Sequence, residues 1–123
     1  MKTVAVIGAS TDRAKYGNKC VRAYQAADYR VYPVNPHADE IEGLSVFRAI
    51  AEVPERLDRV ALYLPPERTR EALPAIAAKG AGEVYFNPGS WDAEVVAEAD
   101  RLGIPHREAC AIVALGMSPS QFP

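Results

Sequence analysis

Long hydrophobic runs are absent from the 123-residue sequence, and cysteine is scarce. No apolar stretch approaches the roughly 20 residues that a membrane-spanning helix needs, so we expect no membrane association. The only two cysteines, Cys20 and Cys110, lie far apart and form no CxxC pair, which argues against a disulfide scaffold and a cysteine-based zinc site. Because the chain begins with a strand pattern instead of a signal peptide, we expect a cytoplasmic protein.

An excess of positive charge is lacking as well. Fourteen Lys and Arg against sixteen Asp and Glu give a net charge of −2. Nonspecific binding to nucleic acid depends on positive charge, so we expect no nucleic-acid partner. With 49% hydrophobic and 24% charged residues, the composition is typical of a globular protein. The length predicts one domain over residues 1–123, in which residues 116–123 form an irregular tail.

Apolar or β-rich segments alternate with amphipathic segments along the chain. We predict strands at residues 4–7, 30–34, 59–64, 83–86 and 106–109, and helices at about 16–27, 67–79 and 92–102. Continuous apolar runs are typical of parallel strands that are covered on both faces. The alternation therefore predicts an α/β fold, namely a single Rossmann-like, doubly wound parallel sheet of about five strands. For this sheet we choose the strand order 3-2-1-4-5.

A loop of small residues follows the first predicted strand and begins at Gly8. In a doubly wound sheet, ligands bind beyond the carboxyl ends of the strands. Small residues let the backbone approach a ligand closely, and the amides at the start of the next helix can hold phosphate oxygens. Arg13 and Lys15 add positive charge at this place. The pattern favours phosphate binding, and the alternative is that Gly8 simply forms a turn between strand and helix.

The fingerprint of nicotinamide dinucleotide binding is missing. In the pattern G-x-G-x-x-G, Ser10 and Arg13 occupy the places of the second and third glycines. Asn35 follows the second strand, at the place where NAD-binding proteins usually have an acidic residue. The P-loop pattern G-x-x-x-x-G-K-[ST] is absent too, so the sequence shows no machinery for ATP hydrolysis.

Three further motifs occur in a characteristic order. The first is Val6-Ile7-Gly8-Ala9-Ser10. The second, and the most specific of the three, is Val31-Tyr32-Pro33-Val34-Asn35-Pro36. The third is Leu57-Asp58-Arg59-Val60, which leads into the third strand. Over nearly its whole length the chain thereby resembles the small stand-alone CoA-binding domain proteins, which are similar to the CoA-binding domain of the succinyl-CoA synthetase α-subunit. The resemblance implies coenzyme A as the ligand.

The resemblance also implies a site, position by position. The first loop, which wraps the phosphates in the family, corresponds to Gly8, Ala9, Ser10, Arg13, Lys15 and Tyr16. Asn35 and Pro36 correspond to the loop near adenine and ribose; Leu64, Pro65 and Pro66 to the loop that packs against the nucleotide; and Asn87 and Pro88 to the pantetheine side. One departure concerns the fourth loop, where many members have Q-x-G and this chain has Asn87-Pro88-Gly89.

No catalytic residue emerges from the sequence, since no Ser-His-Asp arrangement or pair of carboxylates in a cleft-like setting is recognisable. The favoured interpretation is a CoA or acyl-CoA binding protein that is not an enzyme on its own. The alternatives are a component of an acyl-CoA synthetase or ligase that needs a partner chain and, less favoured, an NAD(P)-binding reductase or redox sensor. A protein partner and a homo-oligomer both stay open. For Cys110, a small buried side chain is favoured over a thiol that forms a mixed disulfide with CoA.

Overall fold

A five-stranded parallel sheet lies at the centre of the computed structural model, which describes residues 1–123. Its strands are β1 (Thr3–Ile7), β2 (Arg30–Val34), β5 (Leu57–Leu62), β6 (Ala81–Phe86) and β7 (His106–Arg107), and β3 (Glu40–Ile41) and β4 (Leu44–Ser45) form a separate antiparallel pair. The helices are α1 (Tyr16–Ala26), α2 (Pro66–Lys79) and α3 (Ala93–Arg101). The predicted α/β fold with a doubly wound parallel sheet is confirmed. None of the three helices combines the length and hydropathy that crossing a membrane requires.

The strand order along the sheet is β2-β1-β5-β6-β7. If the five strands of this sheet are numbered along the chain, the order is 2-1-3-4-5. The third strand, β5, therefore pairs with β1, whereas the predicted order 3-2-1-4-5 placed it outside the second strand. Pro33 explains the difference. Its missing N–H faces the outer side of β2, where only a single bridge forms and the Phe47 amide donates to the Pro33 carbonyl (2.9 Å). Because proline cannot donate to a ladder, β2 fits the edge of the sheet better than its interior.

The helices divide between the two faces of the sheet. On one face, α2 and α3 bury a 16-residue cluster that includes Leu73, Ile76 and Val95. On the other face, α1 contributes Cys20 and Tyr24 to a 13-residue cluster. The chain therefore leaves β1 towards one face and β5 towards the opposite face, which creates a crevice between the carboxyl ends of these two strands. Doubly wound sheets bind their ligands in such a crevice.

Strand β5 is displaced by two residues from its predicted position. It covers Leu57–Leu62, whereas the apolar run had predicted residues 59–64. Tyr63 and Leu64 consequently lie beyond the strand, in the loop that borders the crevice. Between β4 and β5 the chain forms one 3-10 turn, Ile50–Glu52.

The segment 116–123 packs against α1. It contains the 3-10 turn Pro119–Gln121, which Ser118 caps. Arg22 of α1 holds the segment, because its Nη2 donates to the Phe122 carbonyl (3.0 Å). The predicted irregular tail thus includes one ordered turn that is fixed to the first helix.

Candidate functional site

A cleft of about 370 Å³ opens between the carboxyl ends of β1 and β5. The loops after β1, β5 and β6 and the first turn of α1 surround it. Six of the predicted site residues line this cleft: Gly8, Lys15, Tyr16, Leu64, Pro65 and Pro88. The other lining residues are Gly17, Tyr63, Gly89 and Ser90, none of which was predicted. The sheet edge expected to bind a ligand therefore does form a cleft, and part of the predicted set meets there.

Two glycines bring the first helix unusually close to the first strand. Gly8 has φ +88°, and a Cβ at this residue would lie 2.6 Å from the Tyr63 carbonyl oxygen. A Cβ at Gly17 would lie 2.2 Å from the Gly8 carbonyl oxygen. Any side chain at Gly17 would therefore push α1 away from β1. The sequence signal that could have identified Gly17 is a glycine inside an amphipathic helix, which usually has a packing reason.

The amino end of α1 has hydrogen-bond donors without partners. Lys15, the N-cap residue, makes no side-chain cap, and the first turn contains no acidic residue. Neither the Tyr16 amide nor the Gly17 amide donates a hydrogen bond within the protein. These amides, the helix dipole and the Lys15 ammonium group all favour an anion at the edge of the cleft.

The rest of the first loop lies outside the cleft lining. Ala9 is buried, and Ser10 Oγ accepts from the Asp12 amide (3.0 Å). The guanidinium of Arg13 is exposed and lies 3.5 Å, measured from Nε, from a carboxylate oxygen of Glu42. In the structure these three predicted residues shape the loop, and none of them lines the cleft.

The loop after β2 is joined to the first loop by Asn35. Its Nδ2 donates to the Ala9 carbonyl (2.8 Å), and its Oδ1 accepts from the amides of His37 and Ala38 (2.7 and 2.9 Å). The side chain is therefore occupied by contacts within the protein. The neighbouring Pro36 is exposed and does not line the cleft.

A second cleft of about 300 Å³ adjoins the first. It is lined by Tyr16, Tyr63, Asn87, Pro88, Cys110 and Pro119, and it shares Tyr16, Tyr63 and Pro88 with the first cleft. The two together form an elongated site. Pro66, the remaining predicted residue, is the first residue of α2 and lines neither cleft.

Asn87 forms the inner wall of the second cleft and is itself buried. Its Nδ2 donates to the Leu62 carbonyl (2.9 Å), and its Oδ1 accepts from the Ala111 amide (2.8 Å). The side chain thus connects the ends of β5 and β6 with the segment that follows β7. An amide, which both donates and accepts, suits this position between a carbonyl and an N–H.

Tyr63 lines both clefts and therefore lies where they meet. The Tyr63 hydroxyl is buried without a well-formed hydrogen bond, and the Cys20 thiol is its neighbour. Burial raises the pKa of both groups, that of Cys20 to about 12, so both stay protonated at neutral pH. Cys110 is only half-buried and lines the second cleft, which makes it the more accessible thiol.

Curated relatives of the chain are much longer than it is. It is 38% identical over 89 residues to a trans-feruloyl-CoA synthase from an unknown prokaryotic organism, an alignment that covers 69% of this chain and 12% of the relative. It is 32% identical over 90 residues to the ADP-forming acetate–CoA ligase II subunit alpha of Pyrococcus furiosus, with 70% of this chain and 19% of the relative covered. The chain therefore spans less than a fifth of either relative.

A solved structure matches the whole fold. It is a conserved hypothetical protein from Pyrococcus furiosus, with a TM-score of 0.84 and 29% sequence identity, and the alignment covers 93% of this chain and 99% of that one. The family model described as CoA binding domain matches residues 2–116, nearly the full chain. With this match and the relatives' similarity in hand, the resemblance to CoA-binding domains is confirmed, and the chain belongs to the CoA binding domain family.

Proposed function

We propose that this protein binds CoA or an acyl-CoA in the two adjoining clefts and has no catalytic activity on its own. The observation that supports this most strongly is the uncapped amino end of α1 at the edge of the first cleft. CoA offers several phosphates to such a helix end and a long, narrow pantetheine arm to the second cleft.

The geometry suggests an orientation for the ligand. The phosphates lie against the amides of Tyr16 and Gly17, with Lys15 supplying a full positive charge. The pantetheine arm follows Tyr63 and Pro88 into the second cleft. Its thiol end then lies in the part of the second cleft that Cys110 lines.

The adenine end is assigned to the loop after β2. Because the Asn35 side chain is already hydrogen-bonded within the protein, the exposed ring of Pro36 and the backbone of this loop make the contact. The remaining predicted residues of the first loop, Ala9, Ser10 and Arg13, hold the loop in shape for the phosphates. Each part of CoA then has a proposed place on the protein.

The lack of catalysis is proposed from the side chains of the clefts. Their lining includes one ammonium group, that of Lys15, and one thiol, that of Cys110, but no carboxylate and no imidazole. General acid–base catalysis most often uses these two missing groups. The Tyr63 hydroxyl stays protonated because burial raises its pKa. Such a site suits binding better than chemical conversion.

Calorimetric titration with CoA, dephospho-CoA, NAD and NADP tests the proposal. We expect micromolar binding of CoA, about −8 kcal/mol, and weaker binding of dephospho-CoA, which lacks the 3′-phosphate. Binding of NAD or NADP without binding of CoA would contradict the proposal and favour a redox role instead.

A second candidate is a component of an acyl-CoA ligase that acts with a partner chain. The observation in its favour is the similarity to the acetate–CoA ligase subunit alpha, of which this chain spans only 19%. Co-purification with a chain that binds ATP, together with ATP-dependent acyl-CoA formation by the pair, would establish this function. CoA binding without any such partner would favour the stand-alone protein.

A further inference from the structure

A third cleft, of about 460 Å³, lies on the α1 face of the sheet, where no helix covers β6 and β7. Four side chains of the sheet line it, namely Arg59 of β5, Glu83 and Tyr85 of β6, and Arg107 of β7. It is separate from the helix end that we assign to the phosphates. Helices α2 and α3 pack on the opposite face, so this part of the sheet is open to small molecules.

The charges in this third cleft do not balance. Glu83 is the only carboxylate, and it accepts from Arg107 Nε (2.6 Å) and from the Tyr85 hydroxyl (2.6 Å), while Arg59 Nε lies 3.7 Å away. The hydrogen bonds from Tyr85 and Arg107 lower the pKa of Glu83, which is therefore ionised at neutral pH. Two guanidinium groups share one carboxylate, so one positive charge is left over.

The guanidinium of Arg59 is held in a fixed position. The rings of Tyr29 and Tyr85 lie 5.7 and 5.3 Å from its central carbon, and its Nη1 donates to the Tyr24 hydroxyl (3.2 Å). Its Nη2 and both terminal nitrogens of Arg107 make no hydrogen bond within the protein. Guanidinium groups with free terminal donors bind carboxylates well, since two N–H groups match the two oxygens.

The remaining wall of the third cleft is apolar. It consists of small or aliphatic side chains that follow β7, with Val113 60% exposed beside Ala109 and Ala114. A short hydrocarbon chain could pack against these side chains while an acid group reaches the arginines. Charge and apolar surface thus lie side by side, an arrangement that suits an aliphatic acid better than inorganic phosphate.

We infer that the cleft formed by Arg59, Arg107 and the apolar wall at Val113 is a binding site for a short aliphatic carboxylate. The acid group contacts the two guanidinium groups, and the hydrocarbon chain contacts Ala109, Val113 and Ala114. Cys110 lines this cleft and also the second cleft, so the carboxylate site borders the place assigned to the thiol end of CoA. The inference stands on the third cleft alone and does not require CoA to bind.

Titration with butyrate, followed in ¹H–¹⁵N correlation spectra at constant ionic strength, tests this inference. We expect saturable shifts of amides in residues 83–85 and 107–114 with a dissociation constant of about 1 mM. Butyramide has the same shape without the charge, and inorganic phosphate has charge without the chain. We expect both to bind at least about fivefold more weakly, because each lacks one of the two contacts.

Two variants locate the site. Arg107 is exposed, so Arg107→Gln preserves the fold, and we expect it to weaken butyrate binding about fivefold. Arg101→Gln removes an equally exposed arginine that pairs with Glu98 on α3, and it leaves butyrate binding unchanged. Equal binding of butyrate and butyramide, equal binding of phosphate, or unchanged butyrate binding by Arg107→Gln would each overturn the inference. None of these results bears on CoA binding, which the titration with CoA decides separately.

Discussion

Helices α1 and α3 begin at the same edge of the sheet, but their amino ends differ. At α3, Asp92 Oδ1 accepts from the Val95 amide (2.9 Å), and Glu94 adds negative charge to the first turn. At α1, Lys15 stands in the N-cap position, with no cap and no acidic residue. The first turn of α3 thus has acidic side chains of its own beside its amides, whereas the first turn of α1 has none and borders the first cleft. The departure from ordinary capping thus coincides with the proposed phosphate site.

Of the variants considered, we expect Gly17→Ala, in the first turn of α1, to change stability and CoA affinity most strongly. Glycine to alanine in a helix normally stabilises by about 1 kcal/mol, but here the new Cβ would meet the Gly8 carbonyl oxygen. We expect the free energy of unfolding in urea to fall by about 2 kcal/mol and CoA affinity to fall more than about tenfold. Ala97→Gly, at an exposed position of α3, shows the ordinary sign of helix propensity as a control. A more stable Gly17→Ala protein would show that the close contact is not needed.

Lys15→Asp gives α1 the kind of cap that α3 has. The carboxylate would bond to free amides of the first turn, so we expect the free energy of unfolding to rise by about 0.5–1 kcal/mol. CoA affinity, measured by calorimetry, should fall at least about tenfold, because the new charge repels the phosphates. Lys15→Gln removes the positive charge alone and should cause a smaller loss. Unchanged affinity in Lys15→Asp would place the phosphates elsewhere.

Asp92→Ala removes the side-chain cap of α3 and so makes the amino end of α3 more like that of α1. Loss of the cap should lower the free energy of unfolding by about 1 kcal/mol. CoA affinity should stay the same, because Asp92 lines neither of the two clefts proposed for CoA. Asp92→Asn keeps a capping oxygen and should retain most of the stability. A clear loss of CoA affinity in Asp92→Ala would extend the site to α3.

Asp58, like Asp92, accepts a hydrogen bond from a backbone amide, and we expect its effect on the free energy of unfolding to be the weakest of the four. Thr3 N donates to Asp58 Oδ2 (2.9 Å), and this contact lowers the pKa of Asp58 below its usual 3.8. The fold thus favours the ionised carboxylate, so its stabilising effect is present above the usual pKa and is lost as the pH falls below it. Asp58→Asn should flatten this acid dependence. Urea unfolding between pH 3 and pH 6 compares the two proteins, and parallel pH profiles would contradict the assignment.

Local patterns in the sequence predicted the elements and the doubly wound parallel sheet, but not which strands are neighbours in it. Apolar runs and amphipathic segments located the strands and helices of the sheet, and Gly8 and Lys15 marked the loop that borders the cleft. The end of β5 was misplaced because Tyr63 and Leu64 continue its apolar run. Only pairing with β1 ends the strand at Leu62 and moves Tyr63 into the cleft.

The role of a loop side chain depends on the tertiary structure. The family resemblance assigned Asn35 to the loop near adenine and ribose, and in the structure its hydrogen bonds hold two loops together. A polar residue at a sheet edge looks the same in sequence whether its partner is ligand or protein. For the strand order, by contrast, a signal was present, because Pro33 inside an apparently central strand favours an edge position.

The position of Pro33 also limits how this protein can associate. An exposed strand edge is a template on which another chain can extend a sheet. Here β2 offers an interrupted edge, because Pro33 has no N–H and Phe47 already occupies part of it. The opposite edge, β7, is only two residues long. Neither side of the sheet can extend far into a neighbour, so a second copy or another protein has to dock on the helices, the loops or the open face.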